Sequence, residues 1–156
     1  TLALAAELVA RAALRILTSS VRASLTLSAS RSSTYMLGGA VHGPEPSVIG
    51  TRTVQELGRY NLDRVFLGVS GLIEDGFFDY SIEDTEVKHA FIERAAQTVI
   101  LCDASKFGHR SLARVCDLAA VDVLVTYAEP PAALAHALAN AGVEVVVAPG
   151  PRLGGG

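Results

Sequence analysis

Apolar residues recur along this chain at helical and then at strand spacing, in alternation. Leu2, Ala5, Ala6, Val9 and Ala13 share a stripe that leaves Glu7, Arg11 and Arg15 outside it, which predicts a helix over residues 2–14. Arg15 to Thr18 reads as a short strand ending in the polar run Thr18-Ser19-Ser20. A second helix is predicted from Val21 to Ser28, although its serines and threonines compete with helical backbone. Thr34 to Leu37 reads as a strand stopped by Gly38-Gly39, and the Gly/Pro-rich stretch to Pro46 as a loop. Thr51 to Arg59 is predicted helical.

The second half continues the rhythm. Asp63 to Val69 is a near-continuous β-branched and aromatic run, the pattern of a strand buried on both faces of a parallel sheet. A long loop is expected from Leu72 to Ser81. A helix follows from Glu83 to Gln97, with Val87, Ala90, Phe91 and Ala95 on one face, and then a strand from Thr98 to Cys102. Leu112–Cys116, Asp122–Thr126 and Val143–Val147 are further strand candidates. Pro130-Pro131 opens a helix from Ala132 to Asn140, which Gly142 closes. Strands of four to seven residues alternating with helices predict an α/β fold with a doubly wound, mostly parallel sheet, in one domain over residues 1–156.

Composition narrows the function classes. The chain has 156 residues, 13 basic against 16 acidic, for a net charge of −3. That balance offers no footprint for nucleic acid on this chain. No apolar run exceeds the five residues Leu2 to Ala6, and no signal-peptide pattern opens the chain, so no membrane partner and a cytoplasmic setting are expected. The two cysteines, Cys102 and Cys116, form no CxxC pair and read as small buried hydrophobes. No metal site and no cofactor are expected.

In open α/β sheets ligands bind in the loops after the carboxyl ends of strands. This nominates Thr18-Ser19-Ser20, Gly38-Gly39, Gly68-Val69-Ser70-Gly71 and Asp103 through Gly108, three of them rich in residues that bring N–H groups and hydroxyls to an anion. Of the 13 basic residues only Lys88 and Lys106 are lysines, compact point charges suited to a phosphate. The carboxylates Glu83, Asp84 and Glu86 have an ordinary explanation at a helix start. No Walker A loop, G-x-S-x-G elbow or G-x-G-x-x-G fingerprint is present.

At these same residues the chain resembles the C-terminal effector-sensing domain of the DeoR family of bacterial transcriptional regulators. The resemblance is carried by D-R-V-F-L-G-V-S-G-L from Asp63, E-V-K-H-A-F-I-E-R-A-A from Glu86, V-I-L-C-D-A-S-K-F-G from Val99 and V-D-V-L-V-T from Val121. Leu37-Gly38-Gly39, Ser47 to Gly50 and Ile16 to Ser20 are similar to further family segments. It implies a ribose-phosphate isomerase-like fold that senses a phosphorylated sugar or related metabolite. It also implies that Thr1 is the last threonine of a phosphate loop, whose strand and a preceding winged helix-turn-helix lie outside this chain. DNA would be bound only through that outside part.

Matched position by position, the resemblance assigns effector binding to Thr18, Ser19, Gly39, Ser70, Gly71, Lys88, Asp103, Ser105 and Lys106, with Ser19 standing where the family usually has asparagine. Gly76-Phe77-Phe78-Asp79-Tyr80 departs from the family's smaller, threonine-containing sequence there. The expected protein is a non-catalytic regulatory domain, a homo-oligomer of dimer or tetramer size. The alternatives are a sugar-phosphate isomerase using Glu83, Asp84, Glu86 or Asp103 as its base, and a module that only oligomerises.

Overall fold

The computed structural model of this chain describes residues 1–150, and their contacts divide into two compact units. The first comprises Thr1–Leu62 with Glu83–Arg94; the second comprises Asp63–Ile82 and, among the described residues, 95–150.

In the first unit α1 (Leu2–Leu8) runs into β1 (Ala12–Thr18), followed by α2 (Val21–Leu27) and β2 (Arg31–Met36). β1 and β2 pair in parallel, from Ala12 beside Arg31 to Thr18 beside Met36. The predicted helix over 2–14 is therefore corrected. It ends at Leu8, where the Arg11 N–H closes onto the Leu8 carbonyl at 3.0 Å, and Ala12 and Ala13 join the strand. Alanine's helical preference is worth only tenths of a kcal/mol per residue, so pairing with β2 overrides it. Ala13 marks the strain of that choice with φ +64°, at an irregularity in the register between Ala12 and Arg15. Ala5, Ala23 and Leu27 form a small core between α1 and α2, with Leu2, Leu8 and Ile16 packed on it.

The unit continues with β3 (Ala40–His42), inside the stretch expected as loop, its antiparallel partner β4 (Ser47–Ile49) just past that stretch, and then α3 (Thr51–Leu57). Helix α4 (Ile82–Arg94) is tied at both ends. The Ser47 hydroxyl donates to Asp84 at 2.6 Å, and Arg94 donates to the Tyr60 carbonyl at 2.9 Å and to Asn61 at 3.0 Å.

The second unit holds a four-stranded, all-parallel sheet in the order β11-β10-β8-β5. Its strands are β5 (Val65–Gly68), β8 (Thr98–Leu101), β10 (Val123–Thr126) and β11 (Glu144–Val147), and α5 (Ala132–Asn140) packs on β11. The fold is α/β with a mostly parallel central sheet. β5 is an outer strand of that sheet. Val65 and Leu67 are buried while Phe66 is 37% exposed, so burial on both faces does not hold for it. Gly142, at φ +80°, ends α5 as expected, and the Val143 N–H returns to the Leu138 carbonyl.

The expected loop over 72–81 is also corrected. Gly71–Ile73 and Gly76–Asp79 form a hairpin, β6 and β7, around Glu74-Asp75, and β7 pairs antiparallel with β9 (Ala113–Cys116). Phe77 and Phe78 are buried there, whereas Tyr80 is exposed. The aromatic pair is thus a core feature.

Candidate functional site

The strand-end loops nominated by the sequence fall in both units, and each set is built from its own neighbours. In the first unit the parallel strands β1 and β2 end on the same side. Thr18 accepts the Ser20 N–H through its hydroxyl at 3.0 Å, and Ser20 in turn caps α2 by accepting the Ala23 N–H at 3.2 Å. Two of the three hydroxyls in this turn therefore hold its own backbone. Ser19 gives its carbonyl to the Val48 N–H at 2.8 Å, and its hydroxyl makes no hydrogen bond among the described residues.

Gly38 and Gly39 are clamped from α3. The Gly38 N–H donates to Glu56 at 2.8 Å, and the buried Thr53 hydroxyl donates to the Gly38 carbonyl at 2.8 Å. A Cβ on Gly39 would lie 2.7 Å from the Ile49 carbonyl oxygen and closer still to Thr53. Packing alone thus requires glycine at 39. Lys88 lies half-buried on α4.

In the second unit Ser70, Gly71 and the segment after β8 come together. The Ser70 hydroxyl donates to Ser111 at 2.8 Å, Gly71 backs onto the His109 carbonyl, and the Gly108 N–H donates to the Leu72 carbonyl at 2.9 Å. Asp103, Ser105 and Lys106 sit in a tight turn just past β8, with residues Ala104–Lys106 in 3₁₀ geometry. Asp103 shapes it. Its carboxylate accepts the Ser105 N–H at 2.8 Å and the Ser105 hydroxyl, and these bonds, with Lys106 nearby, hold its pKa below the usual carboxylate value. Lys106 is half-buried, and its ammonium makes no hydrogen bond or ion pair among the described residues.

The other cations in this stretch are committed. Arg110 pairs with Asp75 at 2.8 Å and lies 5.6 Å from the centre of the Phe78 ring, and Arg114 pairs with Asp117 at 2.9 Å. Burial pushes both thiols, Cys102 and Cys116, up to about 12, with Asp103 and Asp117 respectively adding to the rise. Both are protonated and unreactive at neutral pH.

Residues 1–128 match the family described as the DeoR C-terminal sensor domain. The chain belongs to that family. It is 33% identical over 113 residues to the HTH-type transcriptional repressor GlcR of Bacillus subtilis, covering 72% of this chain and 44% of that protein. It is 32% identical over 125 residues to a glycerol-3-phosphate regulon repressor of Haemophilus influenzae, covering 80% and 49%. The Escherichia coli repressor of the same name is 28% identical over 129 residues, covering 81% and 51%. The chain spans about half the length of the curated relatives it matches. These relatives are named as repressors rather than as enzymes, and among the described residues no helix is long and apolar enough to cross a membrane.

Three residues that anchor the loops are not marked as such in the sequence: Thr53, Glu56 and Ser111. The hairpin turn at Glu74-Asp75 likewise lies in a stretch expected as loop. Nothing in the residue string marks which hydroxyl anchors which loop.

Proposed function

We propose that this chain is the effector-binding domain of a bacterial transcriptional regulator, one that senses a phosphorylated sugar or related metabolite. DNA would be contacted by a part of the protein outside this chain, and the regulator would act as a homo-oligomer in the cytoplasm. The observation that carries the reading is Lys106: a half-buried lysine whose side chain makes no hydrogen bond or ion pair among the described residues, on a turn past a parallel strand of the central sheet. A cation that forms no ion pair in such a loop, with Asp103 near it already held by Ser105, suits a ligand anion. The names of two relatives, glycerol-3-phosphate regulon repressors, support a phosphate ester as the effector class.

Thr18, Ser19, Gly39 and Lys88 in the first unit, and Ser70, Gly71, Asp103 and Ser105 in the second, are proposed as the remaining effector-binding residues. Binding can regulate only if the effector prefers one arrangement of the protein over another. Titrating glycerol 3-phosphate and hexose phosphates into the intact regulator by calorimetry tests the reading. A Lys106→Ala variant is expected to lose at least about tenfold in affinity, the worth of a charge-assisted hydrogen bond. Unaltered affinity in that variant refutes the role of Lys106.

A further inference from the structure

Thr126 ends β10 with a hydroxyl that is buried and has no hydrogen-bond partner among the described residues. The residue is 2% exposed. Enclosed hydroxyls are almost always paired, because one left unpaired is destabilising. Valine has nearly the same shape without that cost, and the residues before Thr126 in this strand are Val123, Leu124 and Val125. The threonine is thus unexplained by packing.

Its position suggests what the hydroxyl is for. Val125 pairs with Leu101 of β8, and the Cys102 N–H donates to the Val125 carbonyl at 3.0 Å. One step further along, Thr126 stands beside Cys102, immediately before the turn that carries Asp103, Ser105 and Lys106. Thr34 also has a buried hydroxyl without a partner among the described residues, but it lies within β2 rather than at a strand end. Tyr127, Ala128 and Glu129, which follow Thr126, are exposed, so this hydroxyl is one residue from the surface.

We propose that the Thr126 hydroxyl is a specificity contact of the effector site, hydrogen-bonded to a hydroxyl of a phosphorylated polyol or sugar whose anionic group is held at Lys106. The inference rests on the effector reading above and adds the hydroxyl-bearing half of the ligand to it. The contact requires the loop after β10 to yield as ligand enters. A lone anion would satisfy Lys106 and leave Thr126 unused. Only a ligand with both an anionic group and a hydroxyl engages the two residues together.

The test uses the intact regulator, calorimetry and thermal melts, with three probes: glycerol 3-phosphate, a hexose 6-phosphate and inorganic phosphate. Thr126→Val is expected to weaken the better-bound ester about 3- to 10-fold, as loss of one neutral hydrogen bond would. It should leave inorganic phosphate affinity unchanged and the melting temperature equal or higher. Thr126→Ser, which keeps the hydroxyl, should restore ester affinity to within about twofold. Unchanged ester affinity in Thr126→Val, with Lys106→Ala still impaired, overturns this inference and leaves the effector reading standing. A Thr126→Val protein that melts lower, fails to fold or weakens all three probes equally shows a structural hydroxyl and also overturns it. No binding of any probe by the wild-type protein removes the effector reading and this contact with it.

Discussion

Replacing Gly71 with alanine tests how the candidate site is held together. Gly71 opens β6 opposite Phe78 and is buried. A Cβ there would collide with the His109 carbonyl oxygen, and would lie 3.0 Å from the carbonyl carbon and 3.4 Å from the Ser111 nitrogen. These are backbone atoms that cannot rotate away, and the same segment carries Ser111, the partner of Ser70. Forcing one methyl group into such a contact costs about 1–3 kcal/mol. For a chain of this size that is a fall in melting temperature of roughly 2–12 °C.

Gly108 supplies the control, because its φ of +77° is unfavourable for alanine while a Cβ there meets nothing within 4 Å. Gly108→Ala should cost about 1–2 kcal/mol from torsion alone, and Gly108→Asn should recover part of it because asparagine tolerates that region. At Gly71 the order reverses: asparagine should be worse than alanine, since the obstacle is space. Melts followed by circular dichroism, with effector titration alongside, read both effects. A Gly71→Ala protein that melts within about 1 °C of wild type, below the roughly 2 °C that even the smallest expected cost implies, refutes the packing of β6 against His109.

Other outcomes follow from the same contacts. Thr53→Val keeps the shape of a fully buried side chain but strands the Gly38 carbonyl, and should cost about 1–3 kcal/mol in chemical denaturation. Asp103 has a pKa lowered by its bonds to Ser105, so its stabilisation is present above the ordinary carboxylate value and is lost as pH falls through the lowered one. An NMR titration should place its midpoint below that of an unperturbed aspartate. Both cysteines, with thiols pushed up to about 12, should resist a thiolate-specific reagent at pH 8 in the folded protein and react on unfolding; fast labelling of the native state would contradict their burial.

Where a segment's pattern has one structural solution, the fold was legible in the residues. The predicted strand Thr98–Cys102 is β8 to within one residue, and the predicted helix Ala132–Asn140 is α5, because both carry local stop signals as well as apolar spacing. Residues 10–14 carry a helical pattern because Ala10, Ala12 and Ala13 suit a helix locally, whereas the partner that makes Ala12–Thr18 a strand lies about twenty residues further on. The hairpin at Gly71–Asp79 turns on Glu74-Asp75 rather than on an Asn-Gly or Asp-Gly pair, so the strong local hairpin signal is lacking, and Phe77 and Phe78 fall in a stretch expected as loop. Their burial shows the ordinary alternative, in which aromatic residues in a strand supply core.

The candidate site was legible as a set of loops but not as a set of roles, and the reason is chemical. Glycine, serine, threonine and aspartate are used both to build a tight turn and to hold an anion, so the residue type alone does not separate the two uses. Hydrogen-bond accounting does. Thr18 and Ser20 spend their hydroxyls on local backbone, Ser70 is tied to Ser111, Gly39 is fixed by close packing, and Asp103 is occupied by Ser105. The side chains of Ser19 and Lys106 make no hydrogen bond among the described residues, and the Thr126 hydroxyl is buried without one. If residues with occupied side chains shape the loops and unsatisfied ones meet the effector, substitutions should divide accordingly. Changes at Thr18, Gly39 and Asp103 should lower stability and affinity together, while Ser19→Ala, Lys106→Ala and Thr126→Val should lower affinity at nearly constant melting temperature. Equal losses of stability across both groups would show that partner accounting does not separate structure from recognition in this domain.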